Sequence, residues 1–471
     1  HRSALGLALG SATLLLDQMG STTAPASILR RMIRKSGEPV IRQAAVAAMK
    51  MLGQQFVMGE NIADAIMRAD RQKNELASFD MLGEAARTAL DAARYAAAYA
   101  DAIACLGQSA KPGDPHAHHG ISIKLSALHP RYEYLHASRR AEESLPIVLD
   151  LTRAARAANV PLMIDAEESD RLEPHLDIFA ALVESGVADG WPGLGIVVQA
   201  YQKRAVSVIA WLAELASARH VRIAVRLVKG AYWDSEIKRA QVLGLVDFPV
   251  FTQKRHTDLS YMRCAQMLYA NRNSIYAAFA SHNAMTIAYV TSLFGEDAEF
   301  ELQRLHGMGE GAHDALLEYQ RPLRPVRVYA PVGTHRDLLA YLVRRLLENG
   351  ANSSFVHQFA DSKISADQLA VDPRESAASV CAAPLPTGAE LFLPDRRNSL
   401  GFDLNDPGVA NSLIAAMDMT RNVPRSAMPV IGGKLQTGDP QPVHNPATAR
   451  VVGTVVESNA AMVDVAMIIA V

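Results

Sequence analysis

Two adjacent arginines, Arg344 and Arg345, lie in a stretch from Asp337 to Glu348 that is otherwise mostly Leu and Val. At helical spacing Tyr341, Arg344, Arg345 and Glu348 project from one face. Leu338, Leu339, Leu342, Val343, Leu346 and Leu347 cover most of the remaining circumference, the pattern of a helix packed on more than one side. A guanidinium in such a setting is costly unless paired, and two side by side repel each other. A planar fork of N–H donors set over a cavity suits a carboxylate above other ligands.

The elements that must position this helix follow from the strand-like runs upstream and downstream. From Ile121 onward short β-rich segments alternate with helical ones: 121–126, 161–166, 195–200, 221–230, 275–283, 301–308, 326–331 and 353–357. Helical stretches such as 140–158, 173–185, 202–217, 258–270 and 338–348 fall between them. This regular alternation predicts a parallel sheet with right-handed crossovers, and eight units in about 240 residues is the size of a (β/α)8 barrel. A doubly wound open sheet fits less well, because no GxGxxG follows a first strand. In a barrel the chemistry sits at the C-terminal strand ends. Read there, the chain offers Lys124, then Asp165 with Glu167 and Glu168, then Gln199 with Tyr201. Arg226, Lys229, Tyr232 and Trp233 follow, then Ser281, His282 and Asn283, then His306 and Tyr329. Any one of these could be half of an internal ion pair; together, crowned by two arginines, they predict a mouth that binds an anionic small molecule. Lys124 or Lys229 could alternatively form an imine, as in a Schiff-base aldolase. A catalytically inactive barrel scaffold is a further alternative.

The 471 residues leave room for two or three domains, and half of them are apolar. The net charge of −2 and the lack of a Lys/Arg run that would make a basic arm give no sign of nucleic-acid binding. Cys105, Cys264 and Cys381 lie far apart, so neither a disulfide framework nor a cysteine metal site is expected, and a reducing cytoplasmic setting fits. No apolar run is long enough to span a bilayer, and the apolar segment from Leu5 to Leu16 lacks a convincing cleavage site. The chain opens on His, which reads as a truncated N-terminus. His116, His118 and His119 lie in a Gly/Pro loop without accompanying carboxylates and read as an unliganded surface loop, so no metal is expected. The glycine-rich run from His306 to Gly311 is only a weak hint of phosphate contact. Residues 1–110 read as a helical flanking domain, 111–360 as the barrel and 361–428 as a linker with a short helix near 408–418. The last stretch, 429–471, reads as the opening of a further domain.

Several stretches of the chain resemble the proline dehydrogenase module of the proline utilization A family, bacterial enzymes that join it to an aldehyde dehydrogenase. They are Ser36-Gly-Glu-Pro-Val-Ile-Arg, Phe79-Asp-Met-Leu-Gly-Glu-Ala, Ile121-Ser-Ile-Lys-Leu-Ser-Ala-Leu-His-Pro and Ile164-Asp-Ala-Glu-Glu. Gln199-Ala-Tyr-Gln-Lys, Arg226-Leu-Val-Lys-Gly-Ala-Tyr-Trp-Asp, Leu305-His-Gly-Met-Gly-Glu, Tyr329-Ala-Pro-Val-Gly-Thr-His and Tyr341-Leu-Val-Arg-Arg continue the match. The tail, with His444-Asn-Pro-Ala-Thr and Val452-Gly-Thr-Val, is similar to the first strands of aldehyde dehydrogenases. The resemblance implies a distorted (β/α)8 barrel with non-covalent FAD that oxidises L-proline to Δ1-pyrroline-5-carboxylate and passes electrons to a membrane quinone. Carried over by position, Arg344, Arg345 and Lys124 would hold the proline carboxylate. Tyr329, Tyr341 and Leu305 would pack on the ring, and Glu348 and Asp165 would pair with the arginines. Flavin contacts would come from Gln199, Arg226, Val228, Lys229, Gly230, Tyr232, Trp233, Thr252, Ser281, His282, Asn283 and Phe355. The resemblance further implies a cytoplasmic homo-oligomer with peripheral association with the inner membrane. The family's DNA-binding domain is not seen in the chain, and NAD belongs to an aldehyde dehydrogenase module that is absent beyond its opening.

Overall fold

In the computed structural model, eight parallel strands close on themselves in sequence order: β1 (Glu75–Met81), β2 (Gly120–Ile123), β3 (Leu162–Ile164), β4 (Leu194–Gln199), β5 (Ile223–Val228), β6 (Ile275–Ala280), β7 (Phe300–Leu305) and β8 (Val326–Val332). The structure describes residues 56–470 apart from 73–74, 297, 320–325, 335–337, 339–340, 346–364, 366–370, 379–383, 422 and 424. The barrel fold predicted from alternation is present, but its ring begins earlier than expected. Strand β1 lies inside the region read as helical, and it closes the ring by pairing with β2 on one side and β8 on the other. The ring is complete without 353–357, the expected eighth strand, which lies outside the described residues. The expected boundary at residue 110 is corrected accordingly. The helix that follows β1 starts at Ala89, where Thr88 and Asp91 form a reciprocal capping box.

Most strand residues are buried, as in a parallel sheet covered on both faces. All six residues of β4, Leu-Gly-Ile-Val-Val-Gln, are buried. Alternate residues such as Phe79, Ile121, Ile164, Ile196 and Val225 join the main apolar core, each essentially without solvent exposure. The crossovers are helices: α1 (Ile62–Ala69) precedes β1, α2 (Ala89–Gly107) joins β1 to β2, α3 (Leu145–Ala157) joins β2 to β3, and α4 (Leu172–Glu184) joins β3 to β4. Next come α5 (Ala205–Ala218), α6 (Trp233–Val242) with α7 (Lys254–Ala270), α8 (Ala284–Phe294) and α9 (Glu310–Tyr319).

The His116–His119 loop is not the surface loop expected from its composition. The His116 ring stacks on Tyr276 at 3.9 Å between centroids, and its Nε2 lies 3.0 Å from the Pro192 carbonyl. Arg327 donates to the carbonyls of His116 and His118 at 2.7 Å each, drawing the loop across the N-terminal end of the barrel as a floor. Within the expected linker, Ala389 is buried, Gln241 donates to the Pro386 carbonyl, and the Gly401 amide donates to Gly244. That part of the linker packs on the same unit as the barrel.

Residues 402–471 form a separate unit. It holds α10 (Pro407–Arg421), a three-stranded sheet of β9 (Arg425–Ala427), β12 (Pro440–His444) and β13 (Val451–Val456), and a hairpin of β10 (Val430–Ile431) and β11 (Lys434–Leu435). The hairpin turns on Gly432 and Gly433, at φ 55° and 75°, a turn that needs positive φ at both positions. A last helix, α11 (Ala460–Ala470), has no buried residue.

Candidate active site

Period-2 alternation sends Ser78 and Asp80 of β1 inward, with Ser122 and Lys124 at β2 and Gln303 of β7. They meet Asp165, just after β3, and Arg226 of β5. Lys124 is 5% exposed, and a bare ammonium there would be untenable. Its Nζ donates to Asp80 at 2.8 Å, to the Tyr329 hydroxyl at 3.0 Å and to Asp165 at 3.3 Å. Tyr329 donates in turn to Asp165 at 2.6 Å. Burial favours a neutral amine, but Asp80, Tyr329 and Asp165 outweigh it and hold Lys124 well above the ordinary lysine value. A lysine so firmly cationic is a poor nucleophile, which disfavours the aldolase alternative at this position. Burial pushes the Asp80 carboxyl up against the pull of Lys124.

Arg226 crosses the barrel interior. It donates to Asp165 at 2.8 Å, Ser122 at 3.0 Å, Ser78 at 3.1 Å and, through Nε, Gln303 at 2.6 Å. A guanidinium has five N–H donors, so one finds no partner among the described residues. Asp165 therefore serves Arg226, Lys124 and Tyr329, not the helix arginines for which it was expected.

The helical residues 341–345 lie over this mouth. Leu338, Tyr341 and Leu342 are buried with Leu82 and Met308, and Leu305 and Tyr329 pack against them. Arg345 is buried with its guanidinium 5.2 Å from the Tyr341 ring centre. Arg344 lies 4.9 Å from the Tyr232 ring centre and grips Glu84 with two bonds of 2.7 and 2.9 Å. Burial raises the Glu84 carboxyl, yet the Arg344 pair brings it below the usual range. The partner expected for the arginines, Glu348, lies outside the described residues, as does Phe355; Glu84 takes the role at Arg344.

Of the expected flavin set, Gln199 donates to the Glu167 carbonyl at 2.7 Å, while its buried Oε1 accepts from no donor among the described residues. Glu167 also bonds Ser126 and Arg171, and Ser126 Oγ accepts the Ala85 amide at 2.9 Å, which ties the Glu84 loop to the same side of the mouth. Gly230 adopts φ 131° with the Tyr201 ring so near that a Cβ would come within 2.4 Å of it. Lys229 pairs with Asp258 at 2.5 Å, and Trp233 donates to the Phe251 carbonyl beside Thr252. Val228 ends β5. His282 accepts the Leu305 amide at 3.0 Å, Ser281 accepts the Asn283 amide, and Asn283 caps α8. These three fix strand ends through hydrogen bonds within the chain. Sequence reasoning missed Asp80 and Glu84 as site residues, although both fall in the quoted run from Phe79; Asp80 lies within β1 and Glu84 just past it, a strand that the sequence did not reveal. Among the described residues no group of three potential metal ligands converges. No described helix is long and apolar enough to cross a membrane.

Residues 63–358 match the family model described as Proline dehydrogenase, and residues 1–56 match one described as the DNA-binding domain of Proline dehydrogenase. The second match corrects the expectation that this domain is missing. Whole-chain charge concealed it: residues 1–56 carry seven Lys or Arg against two acidic residues, with Arg30, Arg31, Arg34 and Lys35 close together. The chain is 44% identical over 457 residues to the bifunctional protein PutA of Klebsiella aerogenes, spanning 93% of this chain and 35% of that protein. To the PutA of Escherichia coli it is 43% identical over 475 residues, 96% of this chain and 36% of that one. The chain thus spans about a third of the curated relatives it matches most extensively. A hydroxyproline dehydrogenase of Bos taurus is 29% identical over 226 residues, 45% of this chain and 48% of that protein. A solved variant of Bradyrhizobium japonicum Proline Utilization A superposes with a TM-score of 0.75 at 44% identity, covering 85% of this chain and 41% of that one. Proline utilization A of Bdellovibrio bacteriovorus, inactivated by N-propargylglycine, gives 0.80 at 26% identity over 96% and 48%.

Proposed function

This chain belongs to the proline dehydrogenase family, and from that premise we propose that its barrel oxidises L-proline to Δ1-pyrroline-5-carboxylate with FAD. The observation that carries the reading is the convergence of Lys124 and Asp165, just past β2 and β3, with Arg226 and Tyr329 from within β5 and β8, beneath Arg344 and Arg345. The residues fit a flavin: among the described residues Gln199 Oε1 is buried without a donor and Arg226 keeps one N–H to give, and Gly230 brings bare backbone to the rim. Gln199, Arg226, Val228, Lys229, Gly230, Tyr232, Trp233 and Thr252 would hold it, with Ser281, His282, Asn283 and Phe355 completing the set. FAD, when bound, supplies the two-electron acceptor.

Lys124, Arg344 and Arg345 bind the substrate carboxylate, with Arg344 exchanging or sharing its Glu84 contact. Their positive charge also disfavours an ammonium beside it, so bound proline loses its N–H proton more readily and presents the neutral amine that oxidation requires. Leu305, Tyr329 and Tyr341 fix the ring and exclude water, and positioning of this kind can supply up to about 7–11 kcal/mol of barrier lowering for a well-oriented pair of reactants. Asp165 keeps Lys124, Arg226 and Tyr329 in register. Electrons would pass to a membrane quinone, and the longer protein would associate peripherally with the inner membrane as a cytoplasmic homo-oligomer.

The visible spectrum of the purified protein tests this. Oxidised-flavin bands bleached by L-proline are expected; a colourless protein that reconstitutes no flavin, or one that L-proline leaves oxidised, would sink the reading. For residues 1–56 we propose nucleic-acid contact, read as a gel shift that weakens as salt rises.

A further inference from the structure

The interior of this barrel holds a hydrogen-bonded column that runs from its floor to Arg226. At the floor, Arg327 Nε donates to both Glu301 oxygens at 2.9 and 3.0 Å. Glu301 Oε1 also accepts from Gln303 Nε2, and Gln303 Oε1 accepts from Arg226 Nε at 2.6 Å. Arg226 then reaches Asp165, which holds Tyr329 and Lys124. An amide can be reversed in most settings, but this one cannot. A carboxylate only accepts and a guanidinium only donates, so Glu301 selects the NH2 end of Gln303 and Arg226 selects its oxygen. Glu301, Gln303 and Arg226 are 2%, 2% and 3% exposed, so bulk water cannot stand in for a lost link.

We propose that Gln303 is a positioning residue for the reaction: it fixes the plane and reach of the Arg226 guanidinium, and the floor pair Glu301–Arg327 fixes Gln303 in turn. This rests on the proline-oxidising reading of the site. Arg226 has three other partners, Ser78, Ser122 and Asp165, and all engage its terminal nitrogens. Among the described residues Gln303 alone holds Nε, and a planar group held at its inner edge as well as at its tips cannot swing about the Cδ–Nε axis. Without that hold the charge stays in the barrel but its remaining N–H donor no longer has a set direction.

The test compares Gln303→Met, nearly equal in volume, with the same change in an Arg226→Met background. Flavin-loaded protein is used throughout, and folding is checked by circular dichroism. Gln303→Met is expected to lower kcat for L-proline about tenfold with KM within about a factor of two, the sign of lost orientation rather than lost substrate binding. The bound flavin should become harder to reduce by about 30 mV, tenfold in the two-electron equilibrium, measured by dye equilibration. In the Arg226→Met background both changes should vanish, because Gln303 then has nothing to position. Equal losses in the two backgrounds, or an unmoved potential in Gln303→Met, would overturn the proposal and leave Gln303 as a core amide. Should Gln303→Met fail to fold, Gln303→Asn carries the test, with about a threefold loss expected and the same dependence on Arg226. The proline-oxidising reading fails by a different sign, a wild-type flavin that L-proline does not bleach.

Discussion

At the barrel floor Arg327 closes on Glu301 and on the carbonyls of His116 and His118, while Tyr276 donates to the same carboxylate and stacks on His116. At the mouth, equally buried charges leave something over: an acceptor on Gln199, a donor on Arg226 and an Arg344 fork that is partly open to solvent. The floor is a closed circuit in which each charge exists to satisfy another. Burial pushes the Glu301 carboxyl up, but Arg327 holds it below the ordinary value, so the pair stays ionised. A cavity of about 20 Å³ beside Glu301 and Gln303 has room for one water and for no substrate. The mouth spends comparable charge on an incomplete circuit, which is what a ligand site requires. This is the division expected of such barrels, stability at the N-terminal end and chemistry at the C-terminal end.

The sharpest way to break the comparison is to unpair the floor. Glu301→Leu leaves Arg327 buried without its anion and should cost about 3–5 kcal/mol of stability. Adding Arg327→Met should recover most of that, because two apolar side chains of similar volume replace a buried pair. Urea denaturation measures both. A Glu301→Leu protein within about 1 kcal/mol of the parent would show that the floor is not the closed circuit described.

Mouth substitutions should behave oppositely. Arg344→Met and Arg345→Met are expected to raise KM for L-proline about 100-fold, some 2.7 kcal/mol, with flavin still bound. The stability change at Arg344 should stay near 1 kcal/mol, since its pair with Glu84 is partly exposed. Unchanged KM in both variants would remove the carboxylate clamp.

Much of this contrast was legible in the order of residues. Lys124, Asp165, Arg226 and Tyr329 stood at strand ends and do meet. Strand β1 was not legible, because Glu75-Leu-Ala-Ser-Phe-Asp-Met mixes helix formers with one inward serine and one inward aspartate. With β1 unseen, Asp80 and Glu84 had no strand end to mark them. The floor escaped for another reason. Glu301 and Arg327 stand between apolar neighbours and Gln303 follows Leu302, and that period reads as a half-solvated strand. Only closure of the ring turns a polar face inward, and closure depends on pairing between residues 251 positions apart, such as Ala77 with Val328. The partner of Arg344 is a comparable case: Glu84 is 260 positions away, whereas the expected Glu348 was four.

The smallest expected effect concerns proton occupancy at the floor. His119 Nδ1 accepts the Ala77 amide of β1 at 2.8 Å, so the neutral ring carries its proton on Nε2, which faces Asp70 at 3.1 Å. Protonating Nδ1 would set two N–H groups against each other at the strand that closes the barrel. Burial lowers the His119 pKa, against the upward pull of the Asp70 contact and with Arg327 assisting the drop. A folded-state value below the unfolded one means stability that is present above about pH 6.5 and lost as pH falls through the folded value. His119→Gln keeps an acceptor within reach of Ala77 and cannot take up a proton. It should cost about 1 kcal/mol at pH 8 and flatten the decline in stability below pH 6.5. Urea midpoints between pH 8 and 5 measure this. Parallel curves for parent and variant would show that His119 contributes nothing to the acid sensitivity of the floor, and would leave its bond to β1 as packing alone.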